Sequence, residues 1–571
     1  MKFVAPLLIV LILISGYSAY AQNEDFKTSY ISPTRIVWQS GTIDNAQQLL
    51  RPGTGQAELS GKPLVSLQNT TADKASILLD FGKELQGGLQ IITGIWNGNK
   101  PIKVRIRFGE SVSEAMSDLG GKGGATNDHA IRDFETLLPW LGMAEVGNSG
   151  FRFVRIDVLG DDSKLILKEV RAISKYRDLA YQGSFHSSDS LLNKIWKMGA
   201  YTVQLNMQNY LWDGIKRDRL VWVGDLNPEI ATINTVFGSH PVVPKSLDFA
   251  KEITPLPEWM NGISAYSMWW IINQRDWYYH SGDLAYLKKQ QDYLAKLLDL
   301  LSRKVDQQNS EKLDGQRFLD WPSSEDPKAI HAGLQAMMVM SLNAGAELAK
   351  VLNDAVTAEK CLAAVARLKQ HVPDHHQSKQ AAALMSLSGL MPAKAADEQV
   401  ISVGGAKNFS TFFGYYMLEA KAKAGNYQGS LDIIREYWGA MIKMGATTFW
   451  EDFNMDWLDN AAPIDQLVPK GKIDIHGAYG AYCYVGFRHS LCHGWASGPT
   501  PWLTAHVLGI TVEAPGCKVV RIAPHLGDLK FAEGSFPTPY GLISVKHVKM
   551  ADGSVKTTIR KPKQVKVIQE Y

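Results

Sequence analysis

The stretch WDGIKRDRLVWVGDLNPE, residues 212–229, sets Asp213, Asp218 and Asp225 among Arg217, Arg219 and Trp222, with Gly214 and Gly224 towards either end. Carboxylates at this density do acid–base chemistry when they converge. Cleaving an acetal link between sugars needs one group to protonate the leaving oxygen and, for inversion, a second to activate water from the opposite face. A second acidic stretch, GATTFWEDFNMDW (445–457), carries Glu451 directly after Trp450, in an expected loop beyond a helix-like segment at 430–443. The residues alone leave both stretches open. The first also fits a solvated helix terminus with Asp–Arg pairs, and Glu451 also fits an ordinary loop carboxylate. Against the first alternative stand Trp222 between charges and the two glycines, which ask for close backbone packing.

Two such loops must be held on one rim by regular elements. From about residue 30 to 180 the pattern is that of strands: SILLDFG (76–82), KVRIRFGES (103–111) and FRFVRIDVLG, separated by turns such as WNGNK. In KVRIRF, Val104, Ile106 and Phe108 share one face and Lys103, Arg105 and Arg107 the other, as a half-buried strand requires. An antiparallel β-sandwich is expected over 22–180. Near residue 187 the period lengthens. SSDSLLNKIWKMGAYTVQ aligns Leu191, Leu192, Ile195, Trp196, Gly199 and Val203 on a helical face, with Ser188 or Asp189 as its cap. Helical patterns then dominate 181–510, as in GDLAYLKKQQDYLAKLLDLLSRK and AEKCLAAVARLKQHV, and fit a helical toroid better than a simple bundle. After Pro515 and Gly516, KVVRIAP, GLISVKHVK and SVKTTIRKP restore the strand pattern, so 511–571 is expected to be a small β domain.

Bulk properties exclude several classes. The net charge of +3 over 571 residues comes without a basic stripe, which argues against nucleic acid and anionic membranes as partners. Cys361, Cys483, Cys492 and Cys517 are too few and scattered for a disulfide scaffold or zinc site; free thiols are expected, with Cys483–Cys492 the one pair open to oxidation. Lys2, the apolar run FVAPLLIVLILIS and the small residues AYA before Gln22 read as a signal peptide over 1–21. The mature chain is expected to be exported, periplasmic or secreted, with no membrane anchor. The 16 Trp, 21 Tyr and 19 Phe suit stacking on sugar rings, although most aromatics serve cores.

Taken in order, DGIKRDRLVWVGD, GATTFWE and SLCHGWASGPTPWL resemble the inverting α-L-rhamnosidases of glycoside hydrolase family 78. LLDFGKELQGGLQI, FHSSDSLLNKIW and IAPHLGDLKFAEGSFPTPYGLISVKH extend the resemblance over nearly the whole mature chain. It implies an (α/α)6 helical barrel flanked by an N-terminal antiparallel β-sandwich and a small C-terminal β-sandwich. It also implies exo-acting release of terminal α-L-rhamnose from oligosaccharides, polysaccharide fragments or glycosides, with no cofactor and no metal. By position, Asp218 matches the general acid and Glu451 the general base. Asp213, Arg217, Asp225 and His493 match hydroxyl-binding groups, and Trp222, Trp321, Trp450 and Trp270 match the aromatic wall, Trp270 being preferred over Trp269.

The acid motif departs from the family in two ways. It is one residue shorter, and the acid is Asp where Glu is usual, so its reach is about one methylene less. Asp225 is therefore the alternative donor. A catalytically impaired rhamnose-binding protein and a polysaccharide lyase are the alternative functions. His186, His476 and His489 are expected to be structural hydrogen-bonders, and HVPDHHQ (371–377) a surface loop.

Overall fold

The computed structural model describes residues 26–59 and 64–570. The expected signal peptide lies outside them. Among the described residues no helix is long and apolar enough to cross a membrane.

The N-terminal domain is a nine-stranded antiparallel sheet built around the long strands Ser76–Thr93, Met143–Val158 and Lys164–Arg177. Register shifts between Asp80 and Leu85 and between Gly87 and Leu89 bend Ser76–Thr93. Leu79, Phe81, Leu85, Ile106, Phe108 and Phe151 form its core. Strand Ile102–Gly109 confirms Val104, Ile106 and Phe108 as inward-facing, but its second face is not open. The short helix Val112–Met116 packs against this strand, and Val112 and Ala115 form a small second core with Leu78 and Phe153. Arg107 is buried and pairs with Asp157 at 2.7 Å. Alternation identified the strand and could not show that a helix closes its polar face.

The middle of the chain is helical, beginning with Ser190–Asn206, whose N-terminal amides at Leu191 and Leu192 bond the Asp189 side chain. Long helices Ser264–Ser281, Leu284–Arg303 and Pro327–Val351 follow, the last packed against Ala355–Leu368, Lys379–Ser388 and Ser264–Ser281. Asp283, Asp326 and Asp354 cap successive helices in the same way as Asp189. Helix Ser264–Ser281 is covered nearly all round, and this decides which of its aromatics can meet a ligand.

The C-terminal strands form two sheets. Phe531–Thr538, Gly541–Lys549 and Val555–Arg560 make one, and Ile510–Val512, Val519–Ile522 and Lys566–Gln569 the other. Strand Ser184–Ser187, which the sequence places at the start of the helical part, is the fourth strand of the first sheet and pairs with Ala532–Ser535. Phe536, Ile543, Val520 and Ile522 are continuous with the helical core, so the last strands are packed onto the helices rather than tethered to them.

Candidate active site

The loop between helices Ser190–Asn206 and Leu226–Val236 carries the first acidic stretch inward. Three contacts fix it. Gly494 N donates to Asp213 O at 2.8 Å, Asn206 Nδ2 donates to the same carbonyl at 3.0 Å, and Leu220 N closes the loop on Asp213 Oδ1 at 2.8 Å. Gly224 is required by a close approach, because a Cβ there would lie 2.4 Å from the Tyr266 ring. Asp218 and Arg219 both adopt left-handed backbone, φ 53° and 58°, which makes the turn tight and carries the Asp218 side chain to the rim. Arg219 leaves the site: it donates to Asn148 O and lies over the Trp212 ring.

Lys216 ties this loop to the N-terminal domain. Its Nζ lies 3.0 Å from Glu110 and 3.2 Å from Glu114, and donates to Phe487 O and His489 O at 2.8 Å each. Burial works against its charge, but the two glutamates hold Lys216 above its ordinary pKa. Burial pushes Glu110 up to about 7 against the pull of Lys216. Glu110, Glu114 and His476 lie close enough together to ligate an ion, but Lys216 already bonds both carboxylates.

The second acidic stretch leaves helix Gly439–Lys443 and arrives from across the domain. Glu451 N donates to Ser490 O at 2.9 Å, Ser490 N returns to Glu451 Oε2 at 3.1 Å, and Trp495 Nε1 donates to Glu451 O at 2.8 Å. Arg217 Nη2 donates to Glu451 Oε1, and Arg217 Nη1 to Cys483 O at 3.1 Å.

Together these segments line a cavity of about 200 Å3 with Asp213, Arg217, Asp218, Trp222, Asp225, Trp321, Glu451 and His493 on its wall. Drug-sized ligands take about 300–1,000 Å3, so the space suits one sugar ring. His493 Nε2 stands at its floor, 3.7 Å from Asp213, 3.8 Å from Asp225 and 3.8 Å from Glu451. Four carboxylates facing one guanidinium cannot all ionise. Burial, with the charge of Asp218 next, holds Asp213 well above the ordinary carboxylate range; burial does the same for Asp225 despite the Tyr266 hydroxyl, which donates to it at 3.1 Å. Burial raises Glu451 too, but Arg217 and the Ser490 amide pull it back and favour its ionised form. Burial and Arg217 keep His493 neutral. Asp218 differs in position: its side chain is 18% exposed, against 2–3% for the other three.

Two expected aromatics do not reach the cavity. Trp270 is fully buried, its indole donating to Leu247 O at 3.0 Å, and Trp269 stacks on Tyr416. With that helix covered nearly all round, its tryptophans are core, and the pocket-facing residue is Tyr266, one turn nearer the N-terminus. Trp450 is buried edge-on to Phe453, behind Glu451 rather than beside the ligand space. Ile263, Tyr266, Gln316, Phe318, Cys483 and Trp495 complete the wall and were missed. Phe318 and Trp495 are close in sequence to the expected Trp321 and His493, which was the available signal. Behind the Trp321–Tyr482 stack a wider cavity of about 590 Å3 takes in Asp452, Trp457 and Tyr482, but none of the four clustered carboxylates.

The remaining expectations fall in place. His476 bonds Ser111 and His489 O, His489 accepts from Asp452 N, and His186 faces Glu533 on the surface. All four cysteines are free, three buried and Cys483 partly exposed. His376 of the 371–377 segment is exposed and pairs with Asp326.

A ring-sized pocket of carboxylates and aromatic faces, set in a helical domain between β domains, has the size and lining that would suit a sugar ring. The bacterial alpha-L-rhamnosidase 6 hairpin glycosidase domain matches residues 180–404, and the bacterial alpha-L-rhamnosidase C-terminal domain matches 509–568. An alpha-L-rhamnosidase of Alteromonas sp. (strain LOR) is 24% identical over 558 residues, covering 88% of this chain and 57% of its own. The GH78 family rhamnosidase of Bacillus sp. GL1 superposes with a TM-score of 0.73 at 22% identity, over 92% of this chain and 55% of its own. A rhamnosidase from Klebsiella oxytoca with rhamnose bound gives a TM-score of 0.65 at 18% identity, over 84% of this chain and 95% of its own. The chain is thus similar to bacterial α-L-rhamnosidases over its helical and C-terminal parts, and to a rhamnosidase of glycoside hydrolase family 78 in fold. It spans little more than half the length of the Alteromonas and Bacillus relatives.

Proposed function

We propose that the protein is an exo-acting glycoside hydrolase that releases terminal α-L-rhamnose with inversion. The observation that carries this is the convergence of Asp218 at the rim and Glu451 at the floor of one ring-sized cavity. The leaving group must depart towards solvent, so the proton donor belongs at the rim, and Asp218 is the carboxyl there. Glu451, ionised against Arg217 and the Ser490 amide, takes a proton from water as that water attacks the anomeric carbon from below. The Arg217 guanidinium stands between the two, with Nε 4.0 Å from Asp218 and Nη2 bonded to Glu451, which keeps the two carboxyls apart as an inverting pair would be. Asp213 and Asp225, protonated, both donate to and accept from ring hydroxyls. Trp222, Trp321 and Tyr266 meet the apolar side of the sugar, including its methyl group. The helical part is read as an (α/α)6 barrel, in keeping with the six-hairpin description of the matching domain. Export is proposed on Lys2 and the apolar run that follows it.

The test is proton NMR of the full chain incubated with an aryl α-L-rhamnoside and with rhamnose-bearing oligosaccharides. β-L-Rhamnose as the first product is expected, and the α anomer appearing first would overturn inversion. Calorimetric binding of rhamnose with no hydrolysis of any substrate would instead favour a binding protein, and an unsaturated product absorbing in the ultraviolet would favour a lyase.

A further inference from the structure

One side chain of the N-terminal domain reaches the rim carboxylate. His129, at φ 41° on the connection between helix Val112–Met116 and strand Asp133–Leu138, places Nδ1 3.4 Å from Asp218 Oδ1. Its other ring nitrogen, Nε2, lies 3.2 Å from Arg488 Nη2. A guanidinium only donates, so Nε2 accepts, and the neutral ring carries its proton on Nδ1, the atom facing Asp218. Arg488 is itself held by Asp128 at 2.6 Å and by Cys483 O at 2.6 Å, and Phe487 N donates to Gly123 O at 2.7 Å. The ring is therefore placed from both domains.

Trp222 Nε1 donates to Asp218 Oδ2 at 3.1 Å, and His129 Nδ1 stands 3.4 Å from Oδ1, within reach of a bond on small adjustment. As the acid gives its proton to the glycosidic oxygen and the C1–O bond breaks, negative charge develops on this carboxyl. Donors already aimed at it strengthen at that moment. We propose that His129 is a positioning residue for the acid, clamping the short Asp218 side chain together with Trp222, so that the N-terminal domain completes the active site. This rests on reading Asp218 as the acid.

The charged and titratable groups facing this pair are Arg217, Asp213, Asp225, Glu451 and Cys483 around the cavity, and Asp128 and Arg488 beside the ring. His129→Ala removes the ring that faces the ionised acid, and the alkaline limb of the pH–rate profile is expected to move upward. Kinetics of the full-length protein should be compared on methyl α-L-rhamnoside, whose leaving group needs protonation, and on the dinitrophenyl glycoside, whose leaving group does not. His129→Ala is expected to lower kcat about tenfold or more on the first and about twofold or less on the second, within the usual range of acid–base effects. His129→Asn, whose amide nitrogen falls near the place of Nδ1, restores the rate and the alkaline limb. Equal losses on both substrates, or an unmoved alkaline limb, overturn the proposal. Asp218→Asn on the same pair separates the two ideas. If it shows the leaving-group dependence and His129→Ala does not, the acid stands and the clamp falls. If it shows none, both fall.

Discussion

Arg217 and Glu451, 234 positions apart, form a buried ion pair at the floor of the pocket and so join its two acidic loops. Burial pushes the Glu451 carboxyl above its ordinary value, and the guanidinium beside it works against that shift, favouring the ionised form that the proposed base role requires.

Replacing Arg217 with Met therefore removes more than a sugar contact. Glu451 loses its counter-ion, its pKa rises further, and the acidic limb of the kcat/KM profile moves to higher pH, because the base must be ionised. A loss of about a hundredfold in kcat/KM at pH 6 is expected, shrinking at higher pH. Steady-state kinetics over pH 4–9 measure it, and a loss uniform in pH would show Arg217 to be only a binding group.

Asp225 links the pocket to stability. Its folded pKa is raised by burial above its unfolded value of about 3.9. Its contribution is therefore fully present below the unfolded pKa and is lost as pH rises through the folded one. Asp225→Asn escapes that loss, so its Tm relative to the parent climbs with pH from about 4 to 8. A Tm difference that stays constant over this range contradicts the assignment.

Lys216 is the cation that the N-terminal domain closes upon. Lys216→Met leaves Glu110 and Glu114 buried without their partner, a loss of about 3–5 kcal/mol for a broken buried pair. Denaturant unfolding checks this, and adding Glu110→Gln should recover part of the loss. Additive effects in the double variant would show that the two do not interact.

The tryptophans divide by their surroundings. Trp321→Ala opens the pocket wall and should raise KM for an aryl rhamnoside about tenfold, the scale of an aromatic contact of about 1.5 kcal/mol. Trp270→Phe should lower Tm while leaving KM within about twofold, since its indole bonds Leu247 O in the core.

The main divisions of the fold were legible because period-2 and helical patterns change near residue 187 and again after Pro515. Pairing was not. Strand Ser184–Ser187 finds its partner at Ala532–Ser535, 345–351 residues away, and a four-residue strand carries no mark of that partner. In the site, the charged residues were legible because buried charge needs a reason, and Gly214 and Gly224 signalled close packing. Of the aromatics, Trp222 and Trp321 were legible, but the choice between Trp270 and Tyr266 was not, because both lie on one helix that is covered nearly all round. His129 carries no signal in sequence, since contacts between distant segments, Gly123 with Phe487 and Asp128 with Arg488, bring it to Asp218.

The central claim is that Asp218 and Glu451 divide acid and base between rim and floor. Turnover of an aryl α-L-rhamnoside by Asp218→Asn and Glu451→Gln, each verified as folded by circular dichroism, tests it most directly. Each is predicted to fall by at least about a hundredfold; near-normal turnover in both variants would contradict the account.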